Sequence, residues 1–406
     1  MSLKQITNLI FIVLFFIQCN AQNDDQVSVK ETKKRVVVPI KVGAENVQDY
    51  IMLLKGKRVG IVANHTSMIH QTHLVDSLLS LGINVVRVFS PEHGFRGDAD
   101  AGEHVQSGVD EKTGLSLVSL YGKNKKPLPE QIKNIDIIVF DIQDVGARFY
   151  TYISTMHYVM EACAENSIGF IVLDRPNPNG HYVDGPVLET EFQSFVGMHP
   201  VPIVHGMTVG EYAQMINGEK WLKNGVQCDL KVIKAQHYTH SKMYQLPIKP
   251  SPNLPNASSI YLYPSLCLFE GTPISVGRGT DKPFQVLGHP YINSNKYSFT
   301  PQSKKGAKHP KLMNKKCNGY DLSLYGKVYM KDLKKINLFW LINIYKEYPD
   351  KNNFFNSSFN RLAGNAQLQE QIKSGKEEEE IHKTWEEGLA QFKLIRKKYL
   401  LYPDFE

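Results

Sequence analysis

Cysteine is scarce, with 5 in 406 residues. No two of them form a Cys-x-x-Cys pair, which removes a zinc knuckle from consideration. Cys163, Cys228, Cys267 and Cys317 sit in dissimilar, partly apolar stretches and are expected as buried free thiols. No His-Glu-x-x-His or His-x-His spacing marks a metal centre, and no Gly-x-Ser-x-Gly elbow marks a serine nucleophile. The loop after the first strand reads Ala63-Asn64-His65-Thr66, without the glycines that let a backbone cradle nucleotide phosphates. No cofactor is therefore expected. The net charge of +7 comes without a dense Lys/Arg tract or an aromatic-basic pattern, so no nucleic-acid partner is expected. No internal repeat is present.

What remains is an ordinary globular composition, 42% hydrophobic and 21% charged, with ample material for a large core. At the start, Lys4 precedes the apolar run Leu9 to Ile17, and Cys19-Asn20-Ala21 supplies small residues before Gln22. This is the pattern of a secretory signal, too short for a comfortable membrane span. Cleavage is expected after Ala21, giving a periplasmic or secreted protein. Cys19 offers a lipid anchor as the rival, although Phe16 and Gln18 fit a lipobox poorly. Residues 22–44 are expected as a polar, flexible leader.

Strand and helix signals then alternate. Arg58 to Ala63 reads as a strand, Thr72 to Leu81 as a helix closed by Gly82, and Asn84 to Phe89 as a strand. Strands are expected over Leu117 to Tyr121, Ile135 to Asp141, Gly169 to Asp174 and Cys228 to Lys234. Helices are expected over Arg148 to Asn166 and Thr208 to Gly218. Such βα alternation predicts a mostly parallel sheet with helices on both faces. From about Gln245 the texture changes. The proline-dense stretch Leu246 to Pro264 predicts long irregular loops, with a short strand near Pro273 to Gly277. The stretch Glu377 to Tyr399 predicts one helix, with Ile381, Trp385, Leu389, Phe392 and Ile395 along one face.

The chemistry concentrates at strand ends. Ser90-Pro91-Glu92-His93-Gly94 directly follows an apolar strand, so Glu92 and His93 fall where ligands bind in open α/β sheets. A carboxyl partly desolvated there can keep its proton near neutrality and protonate a leaving oxygen, as glycosidic cleavage requires. His93 could instead be the acid, or could position Glu92. Asn64, Asp141, Asp174 and His205 also end strands and could converge with Glu92. The plainer account is that such residues cap helices and turns. Glu103-His104 repeats the Glu-His pair in a glycine-flanked loop. Gly277-Arg278-Gly279 could present an arginine to a substrate carboxylate, with Arg148 as its rival.

These stretches resemble the exo-β-N-acetylmuramidases of the NamZ type, once grouped as a domain of unknown function. The resemblance rests on Val62 to Thr66, Ser90 to Gly97, Ser119 to Gly122, Phe140 to Tyr152, Asp174 to Pro178, Ser275 to Thr280 and Lys398 to Tyr402. It implies a Rossmann-like domain, residues 45–240, and a smaller C-terminal α+β domain, residues 241–406, closing an active-site cleft. It further implies release of N-acetylmuramic acid from the non-reducing end of peptidoglycan fragments. In that family the glutamate of the Pro-Glu-His-Gly motif is the proposed acid, which maps onto Glu92.

Muramic acid carries a lactyl carboxylate, which an arginine would suit. Asn64, His93, Arg96, Glu103, Asp141, Arg148, Tyr152, Asp174, Arg175, Asn177, Glu270 and Arg278 are expected to shape the sugar site. Glu103, Asp141 and Glu270 are candidates for a second carboxylate, with the substrate's acetamido group as another route. No stable protein partner is expected. Two alternatives stay open. One is a metal-assisted hydrolase of other wall bonds drawing on His65, His93, His104, Asp141 or Asp144. The other is a wall-fragment binding protein without turnover.

Overall fold

Strands β1 (Val59–Ala63), β7 (Ile137–Asp141) and β8 (Gly169–Leu173) are apolar on both faces, β4 (Val85–Ser90) is so apart from Arg87 and its terminal Ser90, and helices cover both faces of the sheet they build. In this computed structural model, which describes residues 38–92, 94–95, 107–294 and 296–406, the sheet has seven strands in the order β5-β6-β4-β1-β7-β8-β9. The remaining members are β5 (Gly108–Val109), β6 (Ser116–Ser119) and β9 (Leu230–Ile233). Every neighbouring pair is parallel except β5 with β6. A two-stranded ribbon, β2 (Met68–Ile69) and β3 (Thr72–His73), fills part of the first crossover.

The chain steps from β1 to β4 to β6 toward one edge, then from β7 to β8 to β9 toward the other. The direction therefore reverses between β1 and β7, where doubly wound sheets bind ligands. Side chains alternate as a strand demands: Val59, Ile61 and Ala63 pack into one apolar cluster, and Val62 into the other.

Helix α1 (Leu74–Ser80) starts two residues later than expected because Thr72 and His73 pair as a strand. His73 Nδ1 then caps it by accepting from the Val75 N–H at 3.3 Å. Helix α2 (Tyr152–Glu165) is buried over most of its length, between the sheet and the later chain. Helix α3 (Val209–Gly218) opens with a reciprocal cap between Thr208 and Glu211.

Three expectations fail in the later half. Helix α4 (Ala257–Leu266) occupies the proline-rich stretch expected to be irregular, with Pro264 inside it. Pro264 lacks the N–H that Ile260 O would accept, and the Asn179 side chain supplies that donor instead, at 3.3 Å. Asn256 caps the start by accepting from the Ser259 N–H. Near Pro273 to Gly277 there is only an isolated bridge, Ser275 with Gly288, and no strand. The expected terminal helix is broken into α6 (Glu378–Lys383) and α7 (Glu386–Lys397). Thr384 Oγ1 donates back to Ile381 O at 2.7 Å and Trp385 is buried at the corner, so the chain turns there.

Between these lie an antiparallel sheet, order β10 (Val286–His289), β12 (Cys317–Asp321), β11 (Tyr297–Phe299), and helix α5 (Phe339–Glu347). This smaller α+β part shares one apolar cluster with the large sheet, running from Val62 to Phe392 across residue 240. Residues Pro39–Glu406 pack as one unit. Cys163, Cys228, Cys267 and Cys317 are buried and free, as expected. The signal and leader stretch up to residue 37, with Cys19, lies outside the described residues, but the end of the expected leader is packed and not flexible: Lys41 bridges Gln236, and Val42 and Ala44 are buried.

Candidate active site

The carboxyl edge of the sheet presents Asn64 after β1, Glu92 after β4, Asp141 ending β7 and Asp174 after β8. Glu92 leaves the ladder at Pro91, and Gly94 turns the chain with φ at 76°. Its Oε2 accepts from Thr151 Oγ1 at 2.9 Å, and Thr151 is the residue that opens α2. The Tyr121 hydroxyl, just past β6, is pushed well above its usual pKa by burial and then by the Glu92 carboxylate it contacts. Tyr152 is raised for the same two reasons, burial first, and its hydroxyl lies near Asn64 and Tyr150. A small cavity of about 60 Å³ opens here, lined by Glu92, Thr151, Tyr152, Tyr263, Arg278 and Phe284 among others.

Arg278 reaches this cavity from the C-terminal part. Gly277 and Gly279 flank it, both with φ at 80°, and a Cβ on Gly277 would come within 2.7 Å of Lys282 O. The guanidinium bonds Glu270 at 3.2 Å and lies over the Phe284 ring at 4.9 Å. Lys311 ties the Glu270 loop down by donating to Phe269, Thr272 and Ile274 carbonyls. Burial lowers its pKa, opposed by Glu270 and assisted by Arg278. Of the expected residues, the structure thus brings Glu92, Tyr152, Glu270 and Arg278 together, with Asn64 behind Tyr152.

Other expected residues are engaged elsewhere. Asp141 and Arg175 hold each other in a buried bidentate pair at 2.6 and 2.9 Å. Arg148 is fully buried and donates to four carbonyls, Pro186, Val201, Leu362 and Ala363, at 2.6–3.0 Å. Burial lowers its pKa to about 9. It is a strut joining three segments and not a hold for a substrate carboxylate, which corrects the expectation. Asp174 is likewise consumed. It accepts from Tyr402, Thr208, the Gly210 N–H and the Arg175 N–H at 2.6–2.9 Å, and burial and Glu211 push its pKa up to about 6.

Asn177 shapes a turn, accepting from the Asn179 N–H and donating to Met207 O. His205 is buried, accepts from the Met207 N–H, and burial with nearby cations lowers it to about 3. His93, Arg96 and Glu103 lie outside the described residues.

Sequence reasoning overlooked Thr151 and Tyr121. Thr151 lies inside a motif already singled out, and a hydroxyl at a helix start facing a strand-end carboxylate was the available signal. Asp144 also stands apart. Its Oδ1 accepts from the Gly146 N–H at 2.7 Å, Oδ2 is buried without a partner, and burial pushes it to about 7. A larger cavity, about 410 Å³, lies beside this edge over Thr66, Gln143, Arg175 and Tyr244. Chemistry, more than size, selects the Glu92 cavity, because the carboxylate of the larger one, Glu45, is paired with His70 at 3.0 Å. Among the described residues no group of three His, Cys, Asp or Glu is placed to hold a metal.

Residues 59–258 match the family described as exo-beta-N-acetylmuramidase NamZ, N-terminal, and residues 261–402 match its C-terminal counterpart. The chain is 43% identical over 381 residues to peptidoglycan beta-N-acetylmuramidase NamZ of Bacillus subtilis (strain 168), covering 87% of this chain and 89% of that one. Two crystal structures of DUF1343 family proteins from Bacteroides fragilis NCTC 9343 share the fold. One has a TM-score of 0.85 at 49% identity, covering 90% of this chain and 100% of that one. The other has a TM-score of 0.77 at 31% identity, covering 89% and 99%.

Proposed function

Because this chain belongs to the exo-β-N-acetylmuramidase NamZ family, we propose that it is a glycoside hydrolase releasing N-acetylmuramic acid from the non-reducing end of peptidoglycan fragments. The observation that carries this reading is Glu92. It is a strand-end carboxyl held by Thr151 in a cavity that Arg278 also lines. Glycosidic cleavage needs a proton delivered to the leaving oxygen, and Glu92 is the acid in this reading. Thr151 fixes the rotamer of its carboxyl, and the phenols of Tyr121 and Tyr152 stay protonated beside it and can donate hydrogen bonds.

Arg278 is the group for the lactyl carboxylate that distinguishes muramic acid from glucosamine, held ready by Glu270 and the Phe284 ring. Asp141 is set aside as a second carboxylate because Arg175 occupies both its oxygens. Export past the membrane, expected from the N-terminal apolar run, would place the enzyme beside its polymer.

The test is to incubate the purified protein with N-acetylmuramyl-β-1,4-N-acetylglucosamine and follow products by liquid chromatography and mass spectrometry. Free N-acetylmuramic acid is expected from wild type, with or without chelator, and not from Glu92→Gln. An intact disaccharide would refute the activity. Release that stops with chelator and returns with added metal would support the metal-assisted alternative instead.

A further inference from the structure

Helix α5 and the antiparallel sheet enclose the largest of the three cavities described, about 700 Å³. Its helix side is Phe339, Trp340, Asn343, Ile344 and Glu347, one stripe at helical spacing. Its sheet side includes Tyr297, Tyr320 and Asp321. Tyr320 meets Trp340 at 5.1 Å and Phe339 meets Trp340 at 5.2 Å, so the floor is a contiguous run of rings. Phe339 is 51% exposed, although nothing in the fold requires a phenylalanine to face water there. Polar groups edge the rings and are already oriented. The Tyr320 hydroxyl donates to Glu347 at 3.3 Å, and Lys282 holds Asp321 at 2.5 Å. Rings beside carboxylates and amides suit a pyranose, whose C–H face packs on a ring while its hydroxyls seek acceptors.

Charge supplies the second observation. Residues 296–335 contain eleven lysines against two aspartates, so this stretch alone carries +9 while the whole chain carries +7. Lys296 lines the cavity, and Lys296, Lys315, Lys316, Lys327 and Lys334 are exposed without an ion pair among the described residues. Such a field attracts a polyanion and is screened by salt. The Glu92 cavity also has rings, among them Tyr152, Tyr263 and Phe284, but no lysine lines it.

We infer that this aromatic, basic surface is a second binding site, taking the anionic glycan strand of intact peptidoglycan and holding the enzyme on its insoluble substrate. The inference rests on the wall-glycan reading above for the identity of the polymer. Sugar rings lie on Trp340 and Phe339, while muramyl and peptide carboxylates meet the lysines.

The experiment is co-sedimentation of the purified protein with insoluble peptidoglycan stripped of phosphate-bearing polymers, at low and high ionic strength. The same preparations are assayed on the soluble disaccharide. Wild type is expected to sediment at low salt and release at high salt. Phe339→Ala, at an exposed position, is expected to weaken sedimentation about ten-fold with disaccharide turnover unchanged. Lys315→Glu with Lys316→Glu should weaken it similarly and flatten the salt dependence.

Variants that sediment like wild type would overturn the inference. So would binding only to walls that retain phosphate polymers, or to anionic lipid vesicles and not to peptidoglycan. Loss of disaccharide hydrolysis in wild type would instead refute the proposed activity, whatever the sedimentation shows.

Discussion

Replacing Arg148 with methionine separates a structural arginine from a substrate-binding one. The side chain is fully buried, and its guanidinium serves four carbonyls from three segments, with no carboxylate paired to it among the described residues. Methionine keeps much of the length and removes every donor. Val201 O retains the Leu188 N–H at 3.1 Å, so three carbonyls lose a charged donor without replacement.

An orphaned buried polar group costs about 1–3 kcal/mol, and no longer burying an unpaired cation returns several kcal/mol. A net loss of about 3 kcal/mol is expected, a large share of the ~5–15 kcal/mol that stabilises a typical domain. Urea unfolding followed by tryptophan fluorescence reads the stability. Kinetics on the disaccharide well below the unfolding midpoint read the site. The expected result is a lowered midpoint with KM within about two-fold of wild type. A variant as stable as wild type whose KM rises ten-fold or more would refute the strut and return Arg148 to the sugar site.

Other outcomes follow from the same geometry. Glu92→Gln should lower kcat by about 10²–10⁴ with little change in KM, and Thr151→Val should lower kcat by about ten-fold by freeing the carboxyl's rotamer. An unchanged kcat in Glu92→Gln would remove it as the acid. Arg278→Ala should raise KM for muramyl substrates while leaving weak activity on N-acetylglucosaminyl analogues unchanged. Equal losses on both would show that the arginine does not read the lactyl group.

Asp144 has a raised folded pKa, so its stabilising contribution is complete below about pH 4 and is lost as pH rises through about 7. Asp144→Asn lacks this titration and should therefore gain on wild type as pH rises from 5 to 8 in thermal melts. Parallel melting curves across that range would contradict the assignment.

Much of the sheet was legible because buried parallel strands are apolar on both faces, as in β1, β7 and β8, and because Pro91 and Gly94 mark where β4 ends. Glu92 was legible for the same reason, as a carboxyl just past such a strand. The partner of an arginine is not written beside it. Arg148 and Arg278 both sit in glycine-containing motifs, and only the packed chain puts carbonyls around one and a cavity beside the other. Asp141 and Arg175 are 34 residues apart and meet because β7 and β8 are neighbours. Pro264 misled because its helix is rescued by Asn179, from a turn 81 residues earlier than the Ile260 it serves. The break at Thr384 is a matter of one hydroxyl turning back on the helix, which the apolar stripe on either side conceals.

The bond from Tyr402 to Asp174 spans 228 residues, and its consequence concerns when the molecule can close. Ala235 also donates to Tyr402, and His240 to Pro403. Until residue 402 has been synthesised, the carboxylate at the end of β8 lacks a donor that its buried setting requires. A partly made chain therefore keeps this sheet edge unlatched, one donor short of its folded arrangement. The latch engages only after those residues have arrived, so a chain shortened before Tyr402 should remain open to proteases at this edge while its β1, β4 and β7 core resists them.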